Sequence, residues 1–253
     1  MNRSLTDVWS ASLPPERQGE VYHRFVLGVY EVLERMRRDF PNLLIEGCCG
    51  GGGRFDGGML YYTPQIWCSD DSDAIDRLRI QYGTSFCYPP DTMGAHVSAV
   101  PNEQNGRVTP LQTRGIVAMS GAFGYEMDLS KCTDEEKEAV REQVASYKAH
   151  YGLIHSGNYF RLSPPGGGSL FTAWAHVSQD RREALVSLVA GGARPAPPFC
   201  TLRLKGLNPA LNYQIERDGE ATVYSGESLM RAGYPLPLFH GDYQSLQFYL
   251  HAM

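Results

Sequence analysis

The residues with the clearest chemical potential lie between Glu46 and Asp73. This stretch contains a carboxylate at Glu46, four consecutive glycines at 50–53, and an acidic group formed by Asp70, Asp71 and Asp73. Short apolar runs precede both the glycines and the acidic group, as expected of two strands that each end in a loop. In α/β barrels and open α/β sheets, the groups that follow strand ends build the active site. The stretch therefore predicts a binding or catalytic site at two strand ends.

The glycine run has two interpretations. Glycine lets backbone N–H groups come close to a ligand because no Cβ stands in the way. A phosphate loop is not indicated, since neither Gly-Lys-Ser/Thr nor G-x-G-x-x-G occurs here. A long surface turn is favoured locally, and residues 54–58 are predicted to continue it as loop. The alternative is a backbone cradle for a neutral polar ligand such as a sugar.

The acidic group also has a structural interpretation. Serine and aspartate ahead of a helical pattern are typical of an N-cap, and carboxylates are favourable near the positive end of a helix dipole. We predict that Ser72 or Asp71 caps the helix, which leaves Asp70 to project into a pocket. Glu46 is a rival carboxylate. It should face the same side as Cys48, two residues on, but a hydrogen-bonded residue inside a barrel is its favoured interpretation.

Strand and helix patterns alternate through the first 157 residues. The first helical face is ended by Pro41 and consists of Val21, Phe25, Val29, Val32 and Met36. Strands are predicted at Leu43–Gly47, Gln65–Cys68, His96–Val100 and Phe123–Leu129. Three further helices are predicted. The first follows the second strand and ends at Gly83, the second spans Thr113–Met119, and the third starts at a capping box formed by Thr133 and Glu136. The last helix carries Val140, Val144, Tyr147 and Tyr151. His96 is interpreted as a structural histidine in preference to a pocket residue.

The pattern changes to short β segments after Gly157. They are Leu170–Ser178, Ala184–Val189, Cys200–Lys205, Tyr213–Glu216, Ala221–Tyr224 and Ser245–His251. Asp218-Gly219 is a hairpin signal between two of them. We interpret this part as a small antiparallel sandwich packed on the preceding elements, with Trp174 in its core.

Composition excludes several classes of function. Among 253 residues, 42% are hydrophobic and 20% charged, which is typical of a globular protein. A net charge of −5 without a basic block does not favour nucleic acid as a partner. The six cysteines form no C-x-x-C and no histidine pair has metal spacing, so we expect reduced thiols in a cytoplasmic protein, with neither metal nor cofactor. No apolar run is long enough to predict a membrane span.

A long ordered string of residues resembles the α-galactosidases of glycoside hydrolase family 36. The string comprises Cys48, Gly50–Asp56, Gly58–Tyr62, Pro64-Gln65, Trp67, Ser69–Asp71, Arg77-Leu78, Ile80–Ser85, Met93-Gly94, His96–Ser98, Gly121 and Phe123–Glu126. The resemblance runs the whole length of the chain. Two positions depart from the family pattern, Cys49 where serine is expected and Cys68 where threonine is expected. Both are near-isosteric changes.

The resemblance implies a fold and a set of site residues. The fold is α/β, with the C-terminal half of a TIM (β/α)8 barrel at 1–157 and an all-β sandwich domain at 158–253. Asp70 matches the family's general acid/base. Cys48, Gly51 and Asn2 match residues that contact galactose, and Trp67 matches a position beside the sugar. The implied substrates are α-galactosides such as raffinose or melibiose, and the implied full-length enzyme is a homotetramer.

One catalytic group has no match in these residues. The family's nucleophile is the aspartate of Lys-Trp-Asp-Met-Asn-Arg, whereas this sequence begins Met1-Asn2-Arg3. Retaining hydrolysis needs two carboxyl groups about 5–5.5 Å apart, and Asp70 fills only one role. We therefore expect the isolated chain to be inactive or nearly so. The alternatives are a non-catalytic fragment, a structural remnant, or a galactoside-binding module that uses the β-rich tail.

A half-barrel also has consequences for association. Its open strand edges and uncovered apolar surface favour pairing with another chain. We expect the isolated chain to aggregate or form oligomers.

Overall fold

The computed structural model describes residues 8–193, 195–217 and 219–253. The chain divides into two compact units, one ending at Asp70 and the other running from Asp71 to Met253. Within the described residues, no helix combines the length and the apolar character that a bilayer crossing requires.

The first unit contains two helices and two short strands. After a 3-10 turn at Pro15–Arg17, the elements are α1 (Glu20–Asp39), β1 (Glu46–Gly47), α2 (Gly57–Tyr62) and β2 (Gln65–Trp67). Strand β1 pairs in parallel with β2, which places Glu46 opposite Gln65 and Gly47 opposite Ile66. This parallel pair is the scaffold of the candidate site.

Two predictions for the first unit were wrong in detail. The strand predicted at Leu43–Gly47 is only two residues long, and Leu44 is 86% exposed, because only Glu46 and Gly47 find a pairing partner on β2. The loop predicted to continue through residue 58 instead turns into α2. Asp56 caps that helix by accepting a hydrogen bond from the Met59 amide at 2.9 Å.

Helix α1 has the predicted apolar face but does not bury it. None of its residues is buried, and Phe25 and Val32 are 46% and 57% exposed. Its contacts within the unit are with α2: the Tyr30 ring lies 5.4 Å from that of Tyr62, and Arg37 lies over Tyr61. The spacing of apolar residues therefore predicted the helix correctly, while the residues described in this unit leave its apolar face uncovered.

The second unit begins with alternating helices and strands. They are α3 (Ala74–Thr84), β3 (Met93–Ser98), α4 (Leu111–Ala118), β4 (Ala122–Glu126), α5 (Asp134–Ala149) and α6 (Tyr151–Ser156). Strands β3 and β4 pair in parallel, with Gly94 opposite Ala122 and Ser98 opposite Glu126. The α/β character and the parallel pairing agree with the sequence analysis.

One of the predictions for the helix ends is confirmed and two are wrong. The capping box of α5 is confirmed, because Thr133 accepts from the Glu136 amide and Glu136 accepts from the Thr133 amide. Gly83 does not stop α3, which runs through it to a C-cap at Ser85. The apolar series that ends at Tyr151 crosses a break at His150, so it spans two helices.

The rest of the unit is antiparallel. A six-stranded sheet has the order β10-β9-β12-β7-β6-β5, and a two-stranded sheet pairs β11 with β8. The strands are β5 (Asn158–Ser163), β6 (Phe171–Val177), β7 (Glu183–Ala190), β8 (Thr201–Leu202), β9 (Asn212–Arg217), β10 (Glu220–Ser225), β11 (Tyr234–Pro235) and β12 (Ser245–Ala252), with α7 at Gly226–Arg231. Strands β5 and β11 and helix α7 were not predicted from the sequence. The predicted hairpin joins β9 and β10, but Asp218 lies outside the described residues.

The two faces of the large sheet have different neighbours. One face forms the core of the β domain with Leu188, Tyr213, Leu229 and Leu250. Trp174 points to the other face, where it packs with Leu78 of α3 and Val117 of α4. The prediction that Trp174 lies in the core of the tail was therefore wrong. Its apolar surface joins the sheet to the preceding helices.

Candidate active site

The glycine run forms a tight turn directly after β1. Three of its members have positive backbone angles, with φ of 59° at Gly50, 66° at Gly51 and 97° at Gly52. Glycine adopts these values without the steric cost that a Cβ imposes. The Gly53 amide donates to the Cys49 carbonyl at 3.0 Å, and the Phe55 amide donates to the Gly52 carbonyl at 3.0 Å. Sequence and hydrogen bonds thus define one compact loop.

This glycine loop lies directly against the backbone that carries Asp70. A Cβ built on Gly51 would stand 2.1 Å from the Asp70 nitrogen and 2.6 Å from Ser69 Cα. A Cβ on Gly52 would stand 2.7 Å from the Cys68 carbonyl oxygen. Neither distance is compatible with a side chain, so these positions require glycine because of close backbone approach. The favoured interpretation of the run as a surface turn missed this packing.

Parallel pairing of β1 and β2 brings several predicted site residues to one edge. Cys48 follows β1 and is exposed, Trp67 ends β2 and is half-buried, and Asp70 follows three residues later and is exposed. Gly51 touches the Asp70 backbone, as described above. Asn2 lies outside the described residues. The geometry therefore brings the glycine loop and the acidic residue together at the ends of two neighbouring strands.

The helix cap after Asp70 is Asp73, one residue after Ser72 and two after Asp71. Asp73, which is 2% exposed, accepts hydrogen bonds from the Ile75 and Asp76 amides, each at 3.0 Å. Asp71 accepts from the Asp73 amide at 3.0 Å. The prediction of Ser72 or Asp71 as the cap was wrong because Ser72 is engaged elsewhere. The Asp73 carboxylate is thus engaged in capping, and Asp70 lies before the helix.

Two other polar residues were considered in the sequence analysis. Glu46 lies in β1 and is exposed. His96 lies in β3, with its Nδ1 4.0 Å from Oε2 of Glu126. The imidazole covers Gly124, where an added Cβ would stand 2.7 Å from the ring. This packing favours the structural interpretation of His96.

Among the residues described, no cluster of three or more histidine, cysteine, aspartate or glutamate side chains is arranged to hold a metal ion. All six cysteines are free thiols.

The chemistry available at this edge is proton transfer beside a polar ligand. An exposed carboxyl at Asp70 can donate or accept a proton, and the neighbouring loop offers backbone groups without side-chain obstruction. A single carboxyl group does not complete a double displacement at a sugar carbon, which requires a second one close by. The arrangement therefore fits an acid or a base that acts on a polar ligand.

Two family models match most of the chain. The melibiase family model matches residues 1–157, and the glycosyl hydrolase family 36 C-terminal domain model matches residues 171–250. The chain is 51% identical to α-galactosidase AgaA of Geobacillus stearothermophilus over 253 residues, which is all of this chain and 34% of that protein. It is also 51% identical to the bifunctional α-galactosidase/sucrose kinase AgaSK of Mediterraneibacter gnavus, over 98% of this chain and 25% of that protein.

Solved structures give the same result. The crystal structure of an AgaA variant from Geobacillus stearothermophilus in complex with raffinose superposes with a TM-score of 0.95 at 50% identity, covering all of this chain and 35% of the other. The chain spans between a quarter and about a third of the length of these relatives. It belongs to the melibiase family and is homologous to a C-terminal part of the α-galactosidases of glycoside hydrolase family 36.

Proposed function

We propose that these residues form part of the active site of a retaining α-galactosidase, which releases terminal α-D-galactose from oligosaccharides such as raffinose or melibiose. The observation that carries the proposal is the contact between the glycine loop and the backbone of Asp70. The contact supports a site in which Asp70 and the glycine loop lie together at the ends of two parallel strands. The 51% identity to AgaA over all 253 residues supports the same activity.

Asp70 is the general acid/base in this proposal. Its carboxyl group protonates the glycosidic oxygen as the bond to the leaving group breaks. Its carboxylate then takes a proton from the water that releases galactose from the covalent intermediate. Cys48, Gly51 and Asn2 contact the galactosyl group, and Trp67 lies beside it. The exposure of Cys48 and Asp70 at one strand edge supports access for such a ligand.

We propose that the catalytic nucleophile is not among these 253 residues. A covalent glycosyl-enzyme needs a second carboxylate about 5–5.5 Å from the first. No other carboxylate of the chain matches the family's nucleophile motif. We therefore propose that the 253 residues by themselves do not turn over α-galactosides and become active when the matching upstream part of the barrel is present.

The wider arrangement follows from the family. We propose that residues 1–157 form the C-terminal half of a catalytic (β/α)8 barrel and residues 158–253 a β domain packed on it. The two parallel strand pairs and the antiparallel sheet support this division. The proposed full enzyme is a cytoplasmic homotetramer.

The experiment compares hydrolysis by three proteins. The first is the 253-residue chain alone. The second, called the exchanged enzyme, is the Geobacillus stearothermophilus enzyme in which these 253 residues replace the matching third. The third is the exchanged enzyme with Asp70→Ala. We expect no turnover by the first, hydrolysis of raffinose by the second, and loss of that activity in the third. Raffinose hydrolysis that survives Asp70→Ala would remove Asp70 from the mechanism. A folded but inactive exchanged enzyme would favour a non-catalytic role.

A further inference from the structure

A set of hydrogen bonds holds the residue two positions after Asp70. The segment that starts at Ser98, the last residue of β3, and runs to Arg107 engages all three polar groups of Ser72, and it is called the Ser98–Arg107 loop. The Ser72 amide donates to Oε1 of Gln104 at 3.2 Å, its hydroxyl accepts from Nδ2 of Asn102 at 3.1 Å, and its carbonyl accepts from the Ser98 hydroxyl at 3.0 Å. Ser72 is only 8% exposed. Buried polar groups that lose such partners carry a desolvation cost, so these bonds restrict Ser72 strongly.

Asn102 links this contact to the shape of the loop itself. Its side chain is 4% exposed, and its Oδ1 accepts from the amides of Gln104 at 2.9 Å and Asn105 at 3.3 Å. Its backbone amide donates to the Arg107 carbonyl at 2.9 Å, and its carbonyl accepts from the Gly106 amide at 2.8 Å. One buried amide side chain therefore orders the Ser98–Arg107 loop and reaches Ser72.

The same loop also fixes the residue after Ser72. Arg107 is hydrogen-bonded and ion-paired to Asp73, and its Nη1 lies 3.4 Å from Oδ2 of Asp76. Asp73 in turn caps α3. The backbone from Ser72 into α3 is thus held by this loop through both uncharged and charged hydrogen bonds.

We propose that Asn102 is a positioning residue for the general acid/base. This inference rests on the proposed role of Asp70. Asp71 and Ser72 follow Asp70 in the chain, so a loop that holds Ser72 restricts the backbone from which the Asp70 carboxyl projects. Proton transfer requires that carboxyl within about 2.6–3.2 Å of the glycosidic oxygen, and a misplacement of about 1 Å can lower the rate about a hundredfold.

The test uses two substrates that differ in their need for the acid. Raffinose has a poor leaving group that must be protonated, whereas 2,4-dinitrophenyl α-galactoside has a leaving group that departs as a stable anion. Both are measured with the exchanged Geobacillus stearothermophilus enzyme described above. Asn102→Ala should lower kcat on raffinose about 10- to 100-fold and change the first chemical step on the dinitrophenyl substrate less than about threefold, with KM nearly unchanged.

Two further variants separate positioning from general damage. Ser72→Ala removes the hydroxyl at the other end of the contact, so it should reproduce the selective loss on raffinose. Asn105→Ala is the matched control, because Asn105 lies in the same loop but its side-chain amide donates to Asp76, not to Ser72. It should leave the ratio of the two rates unchanged.

A readout on the 253-residue chain itself reports the contact without turnover. Asn102→Ala should speed hydrogen–deuterium exchange of the Ser72 and Asp73 amides at least about tenfold, whereas Asn105→Ala should not. Equal losses on both substrates, or unchanged exchange at Ser72, would overturn the positioning role. If Asp70→Ala itself causes no selective loss on raffinose, the acid/base assignment fails, and the exchange result then stands as a purely structural contact.

Discussion

Gly51 joins the two parts of the candidate site without contributing a side chain. The φ of 66° and the 2.1 Å separation between a built Cβ and the Asp70 nitrogen act in the same direction, since each excludes other residues. A substrate contact by Gly51, as proposed above, would add to this requirement. Glycine is therefore required at position 51 for a structural reason that is independent of any ligand.

Gly51→Ala should displace the Asp70 backbone. We expect it to lower the free energy of unfolding by at least about 2 kcal/mol, from backbone strain and overpacking together. Raffinose hydrolysis by the exchanged enzyme should fall about a hundredfold. Gly57→Ala is the matched control, because nothing lies within 4 Å of a Cβ built there. Urea unfolding and initial rates measure both effects, and an active, stable Gly51→Ala variant would contradict the close packing.

His176 makes a second prediction at this scale. Its ring is 2% exposed, and neither nitrogen has a hydrogen-bond partner. Burial, with a smaller contribution from the nearby His155, lowers the pKa of His176 from 6.5 to about 4. The unfolded chain therefore binds a proton below pH 6.5 that the folded chain does not bind until about pH 4. Stability should fall as the pH drops through this window.

The expected loss from His176 is roughly 3 kcal/mol between pH 6.5 and pH 4. His176→Phe should remove this part of the pH dependence and should not destabilise the protein at pH 7, because the imidazole has no partner to lose. Unfolding in urea at several pH values measures the slope. An unchanged slope in the variant would show that His176 does not titrate as described.

At the scale of elements, the helices α3 and α4 are bound to the large sheet by a small apolar cluster. Trp174 of β6 and Val189 of β7 meet Ala74, Leu78, Ile116 and Val117 of the two helices. Arg161 of β5 adds a polar link, since its Nε donates to the Ser85 hydroxyl at 2.8 Å and its guanidinium lies over the Phe86 ring. The β domain therefore supports the helices that follow β2 and β3.

Trp174→Ala should weaken this support. Removing a buried indole typically costs about 3–5 kcal/mol, from lost burial and the cavity that remains. Phe199→Ala should cost almost nothing, because Phe199 is 76% exposed. Chemical denaturation of both variants tests the difference. A small effect at Trp174 would indicate that the helices and the sheet are held together by other contacts.

Elements were predictable where local chemistry determines them. The capping box at Thr133 is such a case, since both hydrogen bonds join residues three apart. The length of β1 and the site of Trp174 were not predictable, because each depends on which distant element supplies a partner. The cap residue of α3 was predicted wrongly for the same reason, since Asn102 of the Ser98–Arg107 loop donates a hydrogen bond to the Ser72 hydroxyl. The contact of Gly51 with Asp70 is likewise long-range and left no local signal beyond the glycines themselves.

For the molecule as a whole, the exposed apolar face of α1 has the clearest consequence. Large apolar side chains at Tyr22, Phe25, Val26 and Val32 are each more than 40% exposed. Contiguous exposed apolar surface favours association. Association was predicted from open strand edges and uncovered apolar surface, and this helix face is such a surface.

We expect the 253-residue chain to self-associate at micromolar concentration. Phe25→Glu with Val32→Glu should shift it toward monomer, because two charges would interrupt the apolar face. His23→Glu, on the opposite side of α1, should have little effect. Sedimentation velocity measures the distribution. A monomeric parent chain would contradict the prediction.

The most direct measurement of the central claim is the rate of raffinose hydrolysis by the exchanged Geobacillus stearothermophilus enzyme, with and without Asp70→Ala. Removing a general acid should lower this rate by about 10²- to 10⁴-fold, while hydrolysis of 2,4-dinitrophenyl α-galactoside should keep most of its first-step rate. That pattern would assign Asp70 as the acid/base beside the glycine loop. Equal rates on raffinose with and without the substitution would contradict the assignment.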